Sequence, residues 1–216
     1  MTTKHKKTTL ISIGFIIAYS IGSIGFLVPS LRPMFQELTP IILMTSIIVL
    51  LSFHKHWRKR DIIILCIIYL FGFLIELIGV QTGKIFGSYQ YGDGLGVKLY
   101  GTPLIIGVNW VLLSYCSTTI SDKLITNRFF KIFLATCLMI IYDLILETVA
   151  PFMDMWRFEA GVVPFQNYAI WFIVAFIFNT VLTLSNIKGN YKLCIAIFSI
   201  QMGFFGIISI ISNFIL

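Results

Sequence analysis

Residues Phe73–Trp110 read FLIELIGVQTGKIFGSYQYGDGLGVKLYGTPLIIGVNW. An apolar run carrying one carboxylate, Glu76, gives way to a polar loop rich in glycine and tyrosine, and a second apolar run carries Asn109 and Trp110. Hydrocarbon-facing sequence rarely holds an acid, because burying a carboxylate there costs several kcal/mol on most scales. The stretch therefore reads as two membrane helices joined at a polar site, with Glu76 about a turn from the loop. It looks like a reaction site opening at one membrane surface.

Working outward, the composition agrees. With 58% hydrophobic residues, 12% charged residues and a mean hydropathy of +0.94, the expected fold class is all-α, a polytopic membrane helix bundle. Apolar runs cover Thr8–Val28, Leu38–Phe53, Ile62–Val80, Thr102–Ile120, Ile132–Glu147, Asn167–Leu184 and Tyr191–Leu216. A span needs roughly 20 residues, with a range of about 17–25, so the second and fifth must borrow from their flanks. Seven transmembrane helices are expected, with six as the fallback. The connecting loops are too short for a soluble domain, so residues 1–216 read as one integral-membrane domain. Lys4, Lys6 and Lys7 with Ala18-Tyr19-Ser20 resemble a signal peptide, but the apolar run to Val28 exceeds an h-region of roughly 7–15 residues. An uncleaved first span is expected.

The basic residues set the orientation. Lys4, Lys6, Lys7, Lys55, Arg58, Lys59, Arg60, Lys123, Arg128, Lys131, Lys188 and Lys192 fall in alternate segments, 12 of the 16 Lys and Arg. Arg32, Lys84, Lys98 and Arg157 fall in the others. The positive-inside rule then expects a protein of the cytoplasmic (inner) membrane with its amino terminus inside and its carboxyl terminus outside. The net charge of +7 needs no nucleic acid; HKHWRKR reads as a topology anchor beside anionic lipid. Cys66, Cys116, Cys137 and Cys194 all fall within spans without CxxC spacing and read as apolar packing.

In this topology both long polar loops, 81–101 and 148–166, face outward, and three acids lie near that surface. Glu76 is close to the end of its span, and Asp143 and Glu147 stand at i and i+4 on one face of another. Tyr69, Gly72, Glu76, Gly79 and Gly83 form a small and polar stripe, expected to face the bundle interior because small residues let helices approach closely in lipid. Such acids also serve simply as interhelical hydrogen-bond partners; three at one depth favour function. The two loops echo one another, each running from an acid-bearing helix end through aromatics and glycine to Pro, Asn and an aromatic. A duplicated hairpin or an interfacial aromatic belt accounts for that echo.

Several chemistries find little support. A membrane di-iron site wants many histidines, and His5, His54 and His56 all sit in basic segments; His54-x-His56 reads as a solvated patch rather than a metal site. GDGLG at Gly92–Gly96 is not a dinucleotide fingerprint. Lys192 lies at the edge of the last span, not within it as a retinal-binding lysine would. Asp143-x-x-x-Glu147 is one acidic motif where diphosphate chemistry wants two. Cofactor-free acid–base work on a lipid, or transport, remains.

The runs ELIGVQTGKIFGSYQYGDGLGVKLYGTPLIIGVNW and YDLILETVAPFMDMWRFEAGVVPFQNYAIWF resemble the integral-membrane carotenoid biosynthesis family, which includes carotenoid 1′,2′-hydratases and archaeal bisanhydrobacterioruberin hydratases. The resemblance covers about residues 69–178. It implies an enzyme that hydrates the terminal double bond of an acyclic carotene, an isoprenoid, to a tertiary alcohol by acid catalysis and without metal or other cofactor. Asp143, one turn deeper than Glu147 and so better desolvated, is the expected general acid, with Glu76 and Glu147 tuning its proton affinity and orienting water and Glu76 the runner-up for the acid. Tyr91, Trp110, Trp156, Tyr168 and Trp171 would stabilise a cation through their π faces, Asn109 and Asn167 would hold water, and Tyr89 and Arg157 would complete the substrate contacts. The expected partners are the carotenoid substrate and membrane lipid, with other carotenoid enzymes as candidate associates. A lycopene-cyclase-like enzyme, in which an alkene captures the cation, and a carotenoid-binding or transport protein stay open.

Overall fold

Seven helices follow one another in the computed structural model, which describes residues 3–214, with side chains from Lys6 to Ser212: α1 (Thr3–Leu27), α2 (Arg32–Ser52), α3 (Lys59–Thr82), α4 (Ile105–Leu124), α5 (Arg128–Glu147), α6 (Phe165–Leu184) and α7 (Tyr191–Phe214). The side chains of Lys4 and His5, and residues 215–216 of the last apolar run, lie outside the described residues. Local sequence explains the boundaries. Arg32-Pro33 opens α2, where a missing N–H costs nothing. Asn127 caps α5 by accepting from the Phe129 and Phe130 amides. Asn190 does the same for α7 through Lys192 and Leu193. Gly83 ends α3 in the left-handed conformation at φ 64°. The second and fifth apolar runs lengthen at their amino-terminal ends, starting at Arg32 and Arg128.

Among the described residues, six helices are long and apolar enough to cross a membrane; α4 is the exception, by composition. It carries Asn109, Ser114, Ser117, Thr118, Thr119 and Ser121, all buried. The reason is position: α4 packs against α2, α3, α5, α6 and α7, and 16 of its 20 residues are buried. At 20 residues it is about 30 Å long, enough to span. A central helix has protein around it instead of lipid, so its hydroxyls find partners: Ser117 and Thr118 donate to Asn179 Oδ1 at 3.1 and 2.8 Å. The outer helices instead leave apolar side chains exposed, such as Ile17, Ile41, Ile63 and Ile177, as lipid contact requires.

The two long loops meet at one end of the bundle. β1 (Tyr89–Tyr91) pairs antiparallel with β4 (Trp156–Phe158), and β2 (Lys98–Leu99) with β3 (Thr102–Pro103). GDGLG forms a 3-10 turn clasped to the second loop, with Gly92 and Gly94 amides donating to the Met155 and Asp154 carbonyls at 2.9 Å. A Cβ at Gly94 would stand 2.5 Å from the Met153 carbonyl oxygen, which is why glycine is needed there. At the opposite end, Arg58 donates to the Ser185 carbonyl at 3.1 Å. Here the reading of His54 as solvated is corrected. Its side chain is 3% exposed, bonded through Nδ1 to the Tyr115 hydroxyl at 2.7 Å and 3.8 Å from Asp61. His56 is exposed.

Candidate functional site

Glu76 is held in place by its helix. The stripe on α3 turns inward as its spacing suggests: Gly72 lets Trp110 of α4 approach so closely that a Cβ would meet it at 2.8 Å, and Gly79 packs against Phe86 and Tyr89. Between them Glu76 is 3% exposed. Three donors converge on it. Tyr89 and Tyr91 hydroxyls donate to Oε2 at 2.6 and 2.8 Å, and Trp110 Nε1 donates to Oε1 at 3.1 Å. Burial, and next the charge of Glu76, push both phenols well above the ordinary tyrosine value, so both stay donors at neutral pH.

Asp143 and Glu147 occupy the inner face of α5 near its carboxyl-terminal end. Asn167, in the first turn of α6, bridges them: its Nδ2 donates to Glu147 Oε1 at 3.1 Å and to Asp143 Oδ2 at 3.4 Å. Trp156 Nε1 donates to Glu147 Oε2 at 2.9 Å. Asp143 is fully buried, and among the described residues its Oδ1 has no hydrogen-bond partner. The three carboxyls are close enough to interact electrostatically. The β1–β4 ladder ties the two halves together, because Tyr91 and Trp156 are direct partners across it.

The aromatic residues complete the walls. Trp110 stacks on Trp171 of α6 with ring centroids 4.0 Å apart, and Tyr91 meets Trp156 edge-on at 5.9 Å. Tyr168 is half-buried, within electrostatic reach of Glu147 and Asp143. Asn109, 5% exposed, lines a cavity of about 20 Å³ with Trp156, Tyr142 and Leu146, roughly the room one water needs. Of the twelve residues expected from sequence, the structure brings eleven around this centre. Arg157 stands apart: its neighbours Trp156 and Phe158 turn inward and it turns out, opposite Gln90 and exposed. Strand alternation carries that signal, but three residues were too few to read as a strand.

Sequence reasoning did not single out Tyr142, whose hydroxyl donates to Gln201 at 3.1 Å while Gln201 donates to Tyr19 at 2.8 Å. This chain of bonds runs behind the small cavity and joins α5, α7 and α1. Among the described residues no group of three or more His, Cys, Asp or Glu is arranged to hold a metal ion. The arrangement offers buried carboxyls, π faces and a water-sized space, a set suited to proton transfer.

The model of a family described as "Carotenoid biosynthesis protein" matches residues 37–216. A bisanhydrobacterioruberin hydratase of Haloarcula japonica is 31% identical over 117 residues, covering 48% of this chain and 38% of the relative. The aligned part thus spans well under half the length of that curated relative. No solved structure matches.

Proposed function

The chain belongs to the carotenoid biosynthesis protein family, and from that premise we propose that it adds water across the terminal double bond of an acyclic carotene end group. The observation that carries this reading is the unpartnered Oδ1 of fully buried Asp143. An ionised oxygen without a partner in an apolar interior is costly; a carboxylic acid whose O–H is free for a substrate suits the position. Glu76, by contrast, has three donors aimed at it, the set an acceptor wants.

In this reading Asp143 protonates the less substituted carbon of the double bond. The π pair forms the new C–H bond, leaving a tertiary cation and the Asp143 carboxylate. The stacked indoles of Trp110 and Trp171 stabilise the cation. Water held near Asn109 forms the C–O bond, and its extra proton passes to Glu147 and from there to the Asp143 carboxylate, with Asn167 bridging the pair. The sum is one water added, with the acid restored. The site lies at the outer end of the bundle, with the amino terminus cytoplasmic, on the 12-to-4 division of Lys and Arg.

Expression in a lycopene-producing bacterium, with mass analysis of the pigments, tests this. A product heavier by one water supports hydration. An altered chromophore at unchanged mass would indicate cyclisation, in which an alkene captures the same cation, and unaltered pigment would refute both reactions.

A further inference from the structure

A second opening faces sideways in the outer half of the bundle. α1, α2 and α7 surround a groove of about 340 Å³, with Ala18 and Gly22 on one side, Thr39 and Leu43 on the other and Phe204 and Phe205 at its floor. Ala18 and Ile41 at its rim are exposed, so it opens where lipid would lie.

Its chemistry restricts the occupant. The polar groups on its walls are already engaged: Thr39 and Thr45 hydroxyls donate to the carbonyls one turn back at 3.2 and 2.8 Å, and the Tyr19 hydroxyl accepts from Gln201 at 2.8 Å. With these hydroxyls bonded within the bundle and the remaining walls apolar, the occupant is hydrocarbon. They are also aromatic: Phe204 meets Tyr19 edge-on at 5.2 Å and Phe26 at 6.0 Å. Such edges and faces complement a conjugated π system better than a saturated acyl chain.

The groove also adjoins the small cavity beside the candidate reaction site. Leu43 and Phe205, at its inner end, line the small cavity that contains Asn109 and Trp156 as well. Both are buried, so they stand between the two spaces as a closed partition. We propose that this groove binds the conjugated chain of a polyene substrate, and that Leu43 and Phe205 swing aside to admit its end group. The proposal rests on the hydration reading for the identity of the substrate but makes its own claim about where the chain lies.

Binding and turnover separate the two. Lycopene, an acyclic carotene, is added to the full-length protein in nanodiscs, and induced circular dichroism of the polyene band reports binding. Gly22→Leu fills the groove: a Cβ there meets Phe204 at an ordinary 3.4 Å, and Leu is a better helix former than Gly. Ala18→Leu fills it from the rim. Both should weaken binding roughly tenfold, the scale of overpacking an occupied site, and lower hydration in parallel. Asp143→Asn should bind lycopene as the wild type does. Wild-type binding by both leucine variants would overturn the groove and leave the hydration reading standing. Binding lost in those variants, in a protein that never hydrates, would uphold the groove and sink the hydration reading. A polyene signal that excess phospholipid abolishes in the wild type would show an acyl-chain groove and overturn the proposal.

Discussion

Tyr91 and Trp156 stand opposite one another in the β1–β4 ladder, and each gives its side-chain donor to a different acid, Tyr91 to Glu76 at 2.8 Å and Trp156 to Glu147 at 2.9 Å. The ladder therefore fixes the spacing of two carboxyls carried by α3 and α5. Helix packing alone would leave that spacing to slide.

Tyr91→Phe and Trp156→Phe each remove one donor and leave a buried acceptor short of a partner. Each should destabilise the protein by about 1–3 kcal/mol. Because the two residues touch, the double variant should depart from additivity by about 0.5–3 kcal/mol. Denaturant unfolding in detergent micelles measures the cycle, and additive losses would show that the ladder does not couple the acids.

Gly72→Ala should damage the site without altering its chemical groups. The new Cβ would fall 2.8 Å from Trp110, so Trp110 must move and its bond to Glu76 must lengthen. Overpacking of this kind costs about 1–3 kcal/mol. A lowered unfolding midpoint together with a shifted Trp emission is expected; an unchanged spectrum would mean that α3 and α4 part to make room.

At the opposite end, His54 gives stability a pH dependence. Burial, the largest influence, holds its imidazole below the ordinary value of 6.5, against the attraction of Asp61 and with the repulsion of Arg58. The native state then binds fewer protons than the unfolded one near that pH. The contribution is therefore complete above the unfolded value and is lost as pH falls through the lowered folded value. Thermal unfolding in detergent should drop between about pH 7 and pH 5, and His54→Gln should flatten the drop. Equal slopes for both proteins would remove His54 from the account.

The proposed topology is open to direct test. Reporter fusions after Tyr91 and after Trp156 should both read periplasmic, and one after Lys188 cytoplasmic. Opposite signals from the first two would contradict the β1–β4 pairing as well as the orientation.

The helices were legible because each apolar run is bounded by charge or by Gly and Pro. Asp143, Glu147 and Glu76 were legible as a group because helical spacing puts each on a definable face. Their donors were less so. Trp156 reaches Glu147, and Tyr91 reaches Glu76, because a three-residue ladder joins loops some 65 positions apart, and no local pattern encodes that register. His54 was hidden by its basic neighbours; its partner Tyr115 lies on the polar central helix, whose composition makes sense only once its protein surroundings are known.

The carboxylate series decides the chemistry. Asp143 has one long bond and a free oxygen, Glu147 has two donors and Glu76 three. General acid catalysis contributes about 10²–10⁴-fold, so Asp143→Asn should lower hydration by that order while the protein remains folded in the membrane. Glu147→Gln keeps an acceptor for Trp156 and should be milder, because Asp143 can still donate. Glu76→Gln should lose stability first, since an amide presents only one acceptor oxygen to three donors and adds an N–H that must itself be satisfied. Turnover of each variant, normalised to folded protein, is the measurement. Near-normal turnover in Asp143→Asn with none in Glu76→Gln would make Glu76 the acid; wild-type turnover in all three would reduce the carboxyls to partners that hold helices together.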